Sequence, residues 1–298
     1  MPTISIRLLP VGLLAVCTAM GTLAQTNSEL PAVLRDMPQS GSMCKNTPLP
    51  GGATPNDART DQNVDMGCAL SAADVNTFLQ KSGSTIIDTR QEKDFAQFHI
   101  PNAIRADVAT IRLKNYLRDK PLLLVGDGKA DRELYASCGR LRAQGFKSVQ
   151  VLMGGMAGYL ARELPVDGRG IPSALEAARL DPAQLWVQSQ FRESLVILVD
   201  SPKMAEILRA PQVTDRTSQA IASIVERRRK EQKTPLANVV IVTEGPISEA
   251  TFRQYSQVVS PTPVLVYSAG TVALKGFLQS QEAVWAARAH GPKRPRCG

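Results

Sequence analysis

Histidine is scarce: the 298 residues hold two, His99 and His290. That is too few for a metal centre built on several imidazoles, and no metal site is expected. There is no Cys-x-x-Cys pair, which removes a thioredoxin-type redox motif. Beyond the N-terminal segment, no uncharged apolar run reaches the roughly 20 residues a helix needs to cross a bilayer, so no membrane span is expected. Few aromatics interleave the basic runs Arg227-Arg228-Arg229-Lys230 and Lys293-Arg294-Pro295-Arg296. Without a stacking platform for bases, nucleic acid is not an expected partner. Gly126-Asp127-Gly128-Lys129 lacks the lead and the following hydroxyl residue of a Walker loop. Ser248 and Ser268 have no histidine in a recognisable nucleophile arrangement. No cofactor is implied.

What is there is the composition of a folded protein. Hydrophobic residues make up 43% of the chain and charged residues 21%, enough for a packed core. Met1–Ala24 reads as a cleavable signal segment, with Arg7, an apolar run from Leu8 to Val16 and small residues around Gly21 and Ala24. Cys17 is a poor lipoprotein cysteine because Val16, not a small residue, precedes it. A periplasmic or secreted location follows as an expectation, with cleavage near Ala24 removing the charge of Arg7 from a formal +8. Cys44, Cys68, Cys138 and Cys297 then remain, and sequence leaves their three full pairings open. The preferred bridge joins Cys44 to Cys68, which bracket a Pro/Gly/Asn/Asp-rich stretch that a disulfide would restrain. The alternatives are other pairs or none. The run at 227–230 lies between Glu226 and Glu231 and reads as a solvated helix face, whereas the basic tail could touch an anionic surface weakly.

Periodicity predicts alternating helices and strands. Ser71 should cap a helix whose apolar face is Val75, Phe78 and Leu79. Thr85-Ile86-Ile87 reads as a short strand ending at Asp88, and Pro121–Val125 as a buried parallel strand. A helix over about 131–144, stopped by Gly145, and a strand at Val149–Leu152, closed by a turn at Gly154-Gly155, follow. The expected fold class is α/β with a doubly wound parallel sheet. The plan then recurs. Leu195–Val199 runs into Asp200, Val239–Val242 leads to Gly245, and Val264–Tyr267 leads to Gly270, at offsets of 112, 117 and 115 residues from the first set. The expected domains are therefore the signal segment 1–24, an irregular arm 25–66, a first domain 67–168, a second degenerate copy 173–290 and a basic tail 291–298.

Two stretches of the first domain resemble the rhodanese family. One is Asp88-Thr89-Arg90, then Phe95, Gln97 and His99-Ile100-Pro101-Asn102-Ala103-Ile104, with Phe98 and Asn102 where the family usually has glycines. The other is Gly145-Phe146-Lys147-Ser148-Val149 through Leu152-Met153-Gly154-Gly155 to Pro165-Val166. The resemblance implies a loop after the third core strand in which backbone N–H groups and a helix N-terminus surround a cysteine thiolate. That loop here reads Gly126, Asp127, Gly128, Lys129, Ala130, Asp131, Arg132, Glu133, with no cysteine. Counting forward from Pro121 puts the nucleophile position at Gly126, and counting back from Gly145 puts it at Gly128. The loop is about two residues longer than a six-residue sulfurtransferase loop. Three acids oppose Lys129 and Arg132, which suits thiosulfate poorly.

No catalytic residue is therefore expected, and Asp88, Arg90, Lys129 and Arg132 are the candidate binding residues. The leading reading is a binding or accessory module of the cell envelope, holding a protein partner or a small anion in the loop or in the cleft between repeats. The rival is a sulfurtransferase or sulfur carrier using Cys138, which lies two turns into the next helix and reads more readily as buried or disulfide-bonded. A third reading is a structural envelope component assembling through arm and tail. His99 is expected to be structural. The second copy has Pro202 in place of the arginine, and its loop Glu244–Ser248 holds neither cysteine nor basic residue.

Overall fold

The computed structural model describes residues 64–289, except 130 and 233. The signal segment, Cys44, most of the arm, His290, Cys297 and the basic tail lie outside the described residues. In the first half the chain forms strands β1 (Ala69–Leu70), β2 (Thr85–Asp88), β3 (Phe98–His99), β4 (Ile104–Arg105), β5 (Pro121–Val125), β6 (Ser148–Leu152) and β7 (Asp167–Gly168). Its helices are α1 (Val75–Leu79), α2 (Glu92–Gln97), α3 (Val108–Arg112), α4 (Arg132–Ala143) and α5 (Gly155–Leu160). Five strands make one parallel sheet in the order β1-β6-β5-β2-β4. β3 and β7 pair antiparallel beside it.

The central strand shows why the run at 121–125 is continuously apolar. Side chains alternate between faces along a strand. Leu122 and Leu124 pack with Tyr135, Cys138 and Leu141 of α4, while Leu123 and Val125 pack with Val75 and Phe78 of α1 and Met156 and Tyr159 of α5. Each such side chain contributes roughly 1.5–3 kcal/mol by leaving water. Ser71 caps as expected, its Oγ accepting from the Ala73 N–H at 3.2 Å, but the first turn is 3₁₀. Leu79, expected on the apolar face, is exposed instead, because α1 lasts only five residues.

The second half forms α6 (Ala174–Ala178), α7 (Pro182–Ser189), β8 (Ser194–Val199), α8 (Pro202–Leu208), β9 (Gln212–Val213), α9 (Ser218–Glu231), β10 (Asn238–Val242), α10 (Glu249–Val258), β11 (Val264–Tyr267) and α11 (Gly270–Ala289). Its sheet is parallel, in the order β11-β10-β8-β9. The outer strand corresponding to β1 shrinks to one parallel bridge, Arg179 to Val266, where β1 pairs Ala69 with Val151. The ladder registers keep the offsets of 117 and 115 for β10 and β11 but correct that of β8. Val125 faces Asp88, and Val242 faces Leu198, not Asp200. Because β8 has six residues against four in β2, Asp200 falls beyond the strand, at φ 49°, and pairs with Arg216 at 2.8 Å.

The expected Cys44–Cys68 bridge is also corrected. Cys68 is bonded to Cys138, 70 residues away, and both are fully buried. The turn Met66–Cys68 lies against α4, on the stripe that carries Leu134, Cys138 and Leu141. Closing a loop of this length stabilises by roughly 4 kcal/mol in the chain-entropy account. The bridge staples the sheet edge at β1 to α4. No helix among the described residues is long and apolar enough to cross a membrane.

Candidate functional site

The segment after β5 lies at the carboxyl ends of the parallel strands, where open α/β sheets form their clefts. Gly126 ends the strand buried, with a backbone that any residue could adopt, but a Cβ there would lie 2.7 Å from Asp131 Oδ1. Gly128 is at φ 93°, and a Cβ there would overlap the Gly154 carbonyl oxygen at 2.0 Å. Of the two alignments left open by sequence, only position 126 can therefore carry a side chain, and the Asp131 carboxyl stands in its path. Gly154 and Gly155 prove to be more than a closing turn. Both have positive φ, and a Cβ at Gly155 would lie 2.4 Å from Gly128 N.

Two of the loop's backbone donors are engaged by its own acids. The Gly128 N–H donates to Asp131 Oδ1 at 3.3 Å, and the Lys129 N–H to Asp127 Oδ1 at 2.7 Å. At the start of α5, Met156 N–H donates to the Gly126 carbonyl at 3.0 Å and Ala157 N–H to that of Asp127 at 3.2 Å. Asp131 is buried, and loss of water pushes its carboxyl up to about 8, with Asp127 adding to the rise and the Gly128 N–H opposing it. Near neutral pH this carboxyl carries its proton. The loop is tied to the second half through Gln188, whose Nε2 donates to the Lys129 carbonyl and whose Oε1 accepts from Asn238 Nδ2 at 3.1 Å and Ser194 Oγ at 2.6 Å.

Beside the loop is a cleft of about 630 Å³, lined in part by Arg90, Asp94, Asp107, Asp127, Asp131 and Glu133. Its one basic lining residue is committed. Arg90 Nη2 is 2.7 Å from Asp88 Oδ2, its Nε also donates to the carboxylate, and Nη2 donates to the Phe98 carbonyl at 2.6 Å. Asp88 is fully buried, so the expected binding pair Asp88 and Arg90 is a structural clamp that fixes β3 against β2. Asp107 is paired with Arg105 at 2.7 Å. Arg132 is turned away from the cleft, its guanidinium 4.6 Å from the Phe191 ring centroid. Lys129 is not among the cleft's lining residues and meets its acids only through its backbone N–H on Asp127, and Ala130 lies outside the described residues. With Asp94, Asp127 and Glu133 in its lining and Arg90 its single basic lining residue, the cleft is electronegative and repels a dianion.

Cys138, the fallback nucleophile, is in the disulfide and fully buried, so it offers no thiol. His99 is structural as expected: Nδ1 lies 2.9 Å from the Phe95 carbonyl and its ring stacks on Phe95 at 4.1 Å. Asn102 takes φ 62°, the left-handed backbone that explains a glycine at that position in the family pattern. The contribution of Gln188, distant in sequence, had no local signal.

Residues 71–162 match the family model of the Rhodanese-like domain. Among solved structures, a Rhodanese-like domain from Anabaena sp. is 22% identical over 34% of this chain and 79% of its own, with a TM-score of 0.30. Thiosulfate sulfurtransferase from Pseudomonas aeruginosa is 18% identical over 70% of this chain and 42% of its own, TM-score 0.30. SseA from Escherichia coli, described with the fold of 3-mercaptopyruvate sulfotransferases, is 16% identical over 68% and 98%, TM-score 0.28. No protein of curated function matches. Residues 71–162 of this chain form a rhodanese-like domain.

Proposed function

We propose that this chain is an exported tandem rhodanese-like protein that binds a partner and does not transfer sulfur. The observation that carries this reading is the filled loop. Gly126 stands where a nucleophile could project, and the carboxyls of Asp131 and Asp127 take the Gly128 and Lys129 N–H groups of the loop. A donor already satisfied by its own chain has little to gain from an incoming anion. The acid lining of the cleft turns the expected small anion into the less favoured ligand, and a basic group of a protein partner into the favoured one. The buried Cys68–Cys138 bridge supports the exported location expected from the N-terminal segment, since such bonds persist in oxidising compartments.

The test is mass spectrometry of the native protein after incubation with thiosulfate, with cyanide-dependent thiocyanate release measured in parallel. No persulfide adduct on any cysteine and no thiocyanate above the blank are expected. An added sulfur on Cys138, or on any other cysteine together with turnover, would return the chain to the sulfurtransferases.

A further inference from the structure

The end of the first sheet opposite the cleft has a different surface. α3 leads from Asp107, at the cleft, to the amino-terminal edge of the strands, where residues 113–120 pass before entering β5. Leu117 is the one buried residue of that segment and anchors it in the core. Leu113 and Tyr116, by contrast, are 83% and 61% exposed. Lys114 Nζ and Lys120 Nζ lie 5.8 and 5.6 Å from the Tyr116 ring centroid, so two ammonium groups flank one aromatic ring. Arg112 and Arg118 extend the charge. The one acid in the segment, Asp119, is neutralised by Lys147 at 2.6 Å.

We propose that this end docks the protein on an anionic phospholipid surface. Leu113 and Tyr116 enter the headgroup layer, and the surrounding lysines and arginines hold the lipid phosphates. The two apolar side chains stand out from a short turn instead of lining a groove, which fits a deformable lipid interface better than a shaped protein pocket. A tyrosine, apolar in its ring and polar at its hydroxyl, suits the depth where headgroups meet acyl chains. Basic side chains near an anionic leaflet each raise affinity about fivefold at low salt. The acid cleft, at the other end of the same strands, is then repelled by the bilayer and faces away from it, open to a partner. This surface is built from residues 112–120 and Lys147 without drawing on residues 291–298, and the inference stands whether or not the loop after β5 is catalytic.

Co-sedimentation of the full chain with phosphatidylglycerol vesicles and with phosphatidylcholine vesicles, across a salt series, tests it. Binding to the anionic vesicles alone, weakening as salt rises, is expected. The exposed pair Leu113→Ser/Tyr116→Ser should lower the partition coefficient at least tenfold, and Lys114→Glu/Lys120→Glu should abolish measurable binding. Unfolding midpoints of both variants should match the parent, because neither change touches a buried residue. Three outcomes overturn the proposal. They are no binding to phosphatidylglycerol at low salt, binding unchanged by both pairs of substitutions (which would place it on the tail), and equal, substitution-sensitive binding to polyglutamate with none to vesicles.

Discussion

The loops that follow β5 and β10 occupy equivalent places in the two sheets, yet their polar groups are satisfied by different residues. In the second sheet Ser248 is an ordinary helix cap, its Oγ accepting from Thr251 N–H at 3.1 Å. Glu244 reaches across to the Thr271 N–H, also at 3.1 Å, at the start of α11. In the first sheet Asp131 holds the position of Ser248, yet it makes no cap for α4. It turns back to accept the Gly128 N–H, and the start of α5 is closed by carbonyls from the same loop. Buried N–H groups need acceptors. In both loops acceptors come from the chain itself, and the two loops reach that result by separate routes. The first loop stays close-packed on glycines, whereas the second is relaxed.

The largest effect expected from that contrast is at the paired glycines. Gly128→Ala drives a Cβ into the Gly154 carbonyl at a φ of 93° and should cost more than about 4 kcal/mol, enough to unfold the first sheet. Gly245→Ala, at the equivalent position, meets nothing within 4 Å and should change stability by less than about 0.5 kcal/mol. Urea unfolding of the two variants measures both. Similar losses would mean that the loops are packed alike, and the contrast would fail.

Much of the fold could be read from the chain because apolar runs bounded by Gly, Pro or charge are what parallel strands require. Pro121–Val125 and Val239–Val242 are such runs, and both are core strands. Site details were legible only where a residue acts on its sequence neighbours. His99 and the Ser71 cap belong to that class. The pairing of Cys68 with Cys138 was not legible, since nearness in sequence favoured Cys44 and only the docking of α4 on the sheet edge brings Cys138 close. The closing of the loop by Asp131 was hidden for a related reason. Whether an aspartate three residues after a glycine caps its helix or folds back depends on the space left by Gly126 and Gly155, which periodicity does not encode.

The disulfide separates the two sheets next. Among the described residues it tethers the first sheet alone, so its removal should act there. Cys68→Ala/Cys138→Ala should lower the opening free energy of β5 and β6 by roughly 4 kcal/mol. β8, β10 and β11 should change far less. Native-state hydrogen exchange reads the strands separately. Equal loss in β10 would show that the sheets open as one unit, through the shared packing of Ala157 and α6.

The smallest effect, read over a single pH step, isolates Asp131. Its carboxyl rises from 3.8 to about 8 on folding, chiefly because it is buried. The folded state therefore holds a proton that the unfolded state has released between those values, and stability falls as pH rises through that window. The stabilisation is complete below pH about 4 and lost by pH about 8, with a slope of up to roughly 1.4 kcal/mol per pH unit. Asp131→Asn keeps an acceptor for the Gly128 N–H and removes the titration. Between pH 6 and 7 the parent should lose up to roughly 1.4 kcal/mol more than this variant, whereas Ser248→Ala, at the matching position, should lower stability by about 1 kcal/mol at every pH through loss of its cap. Parallel pH profiles for the parent and Asp131→Asn would mean that the carboxylate stays ionised in the loop. The loop would then carry a buried negative charge, and the cleft would be a stronger cation site than the neutral acid makes it.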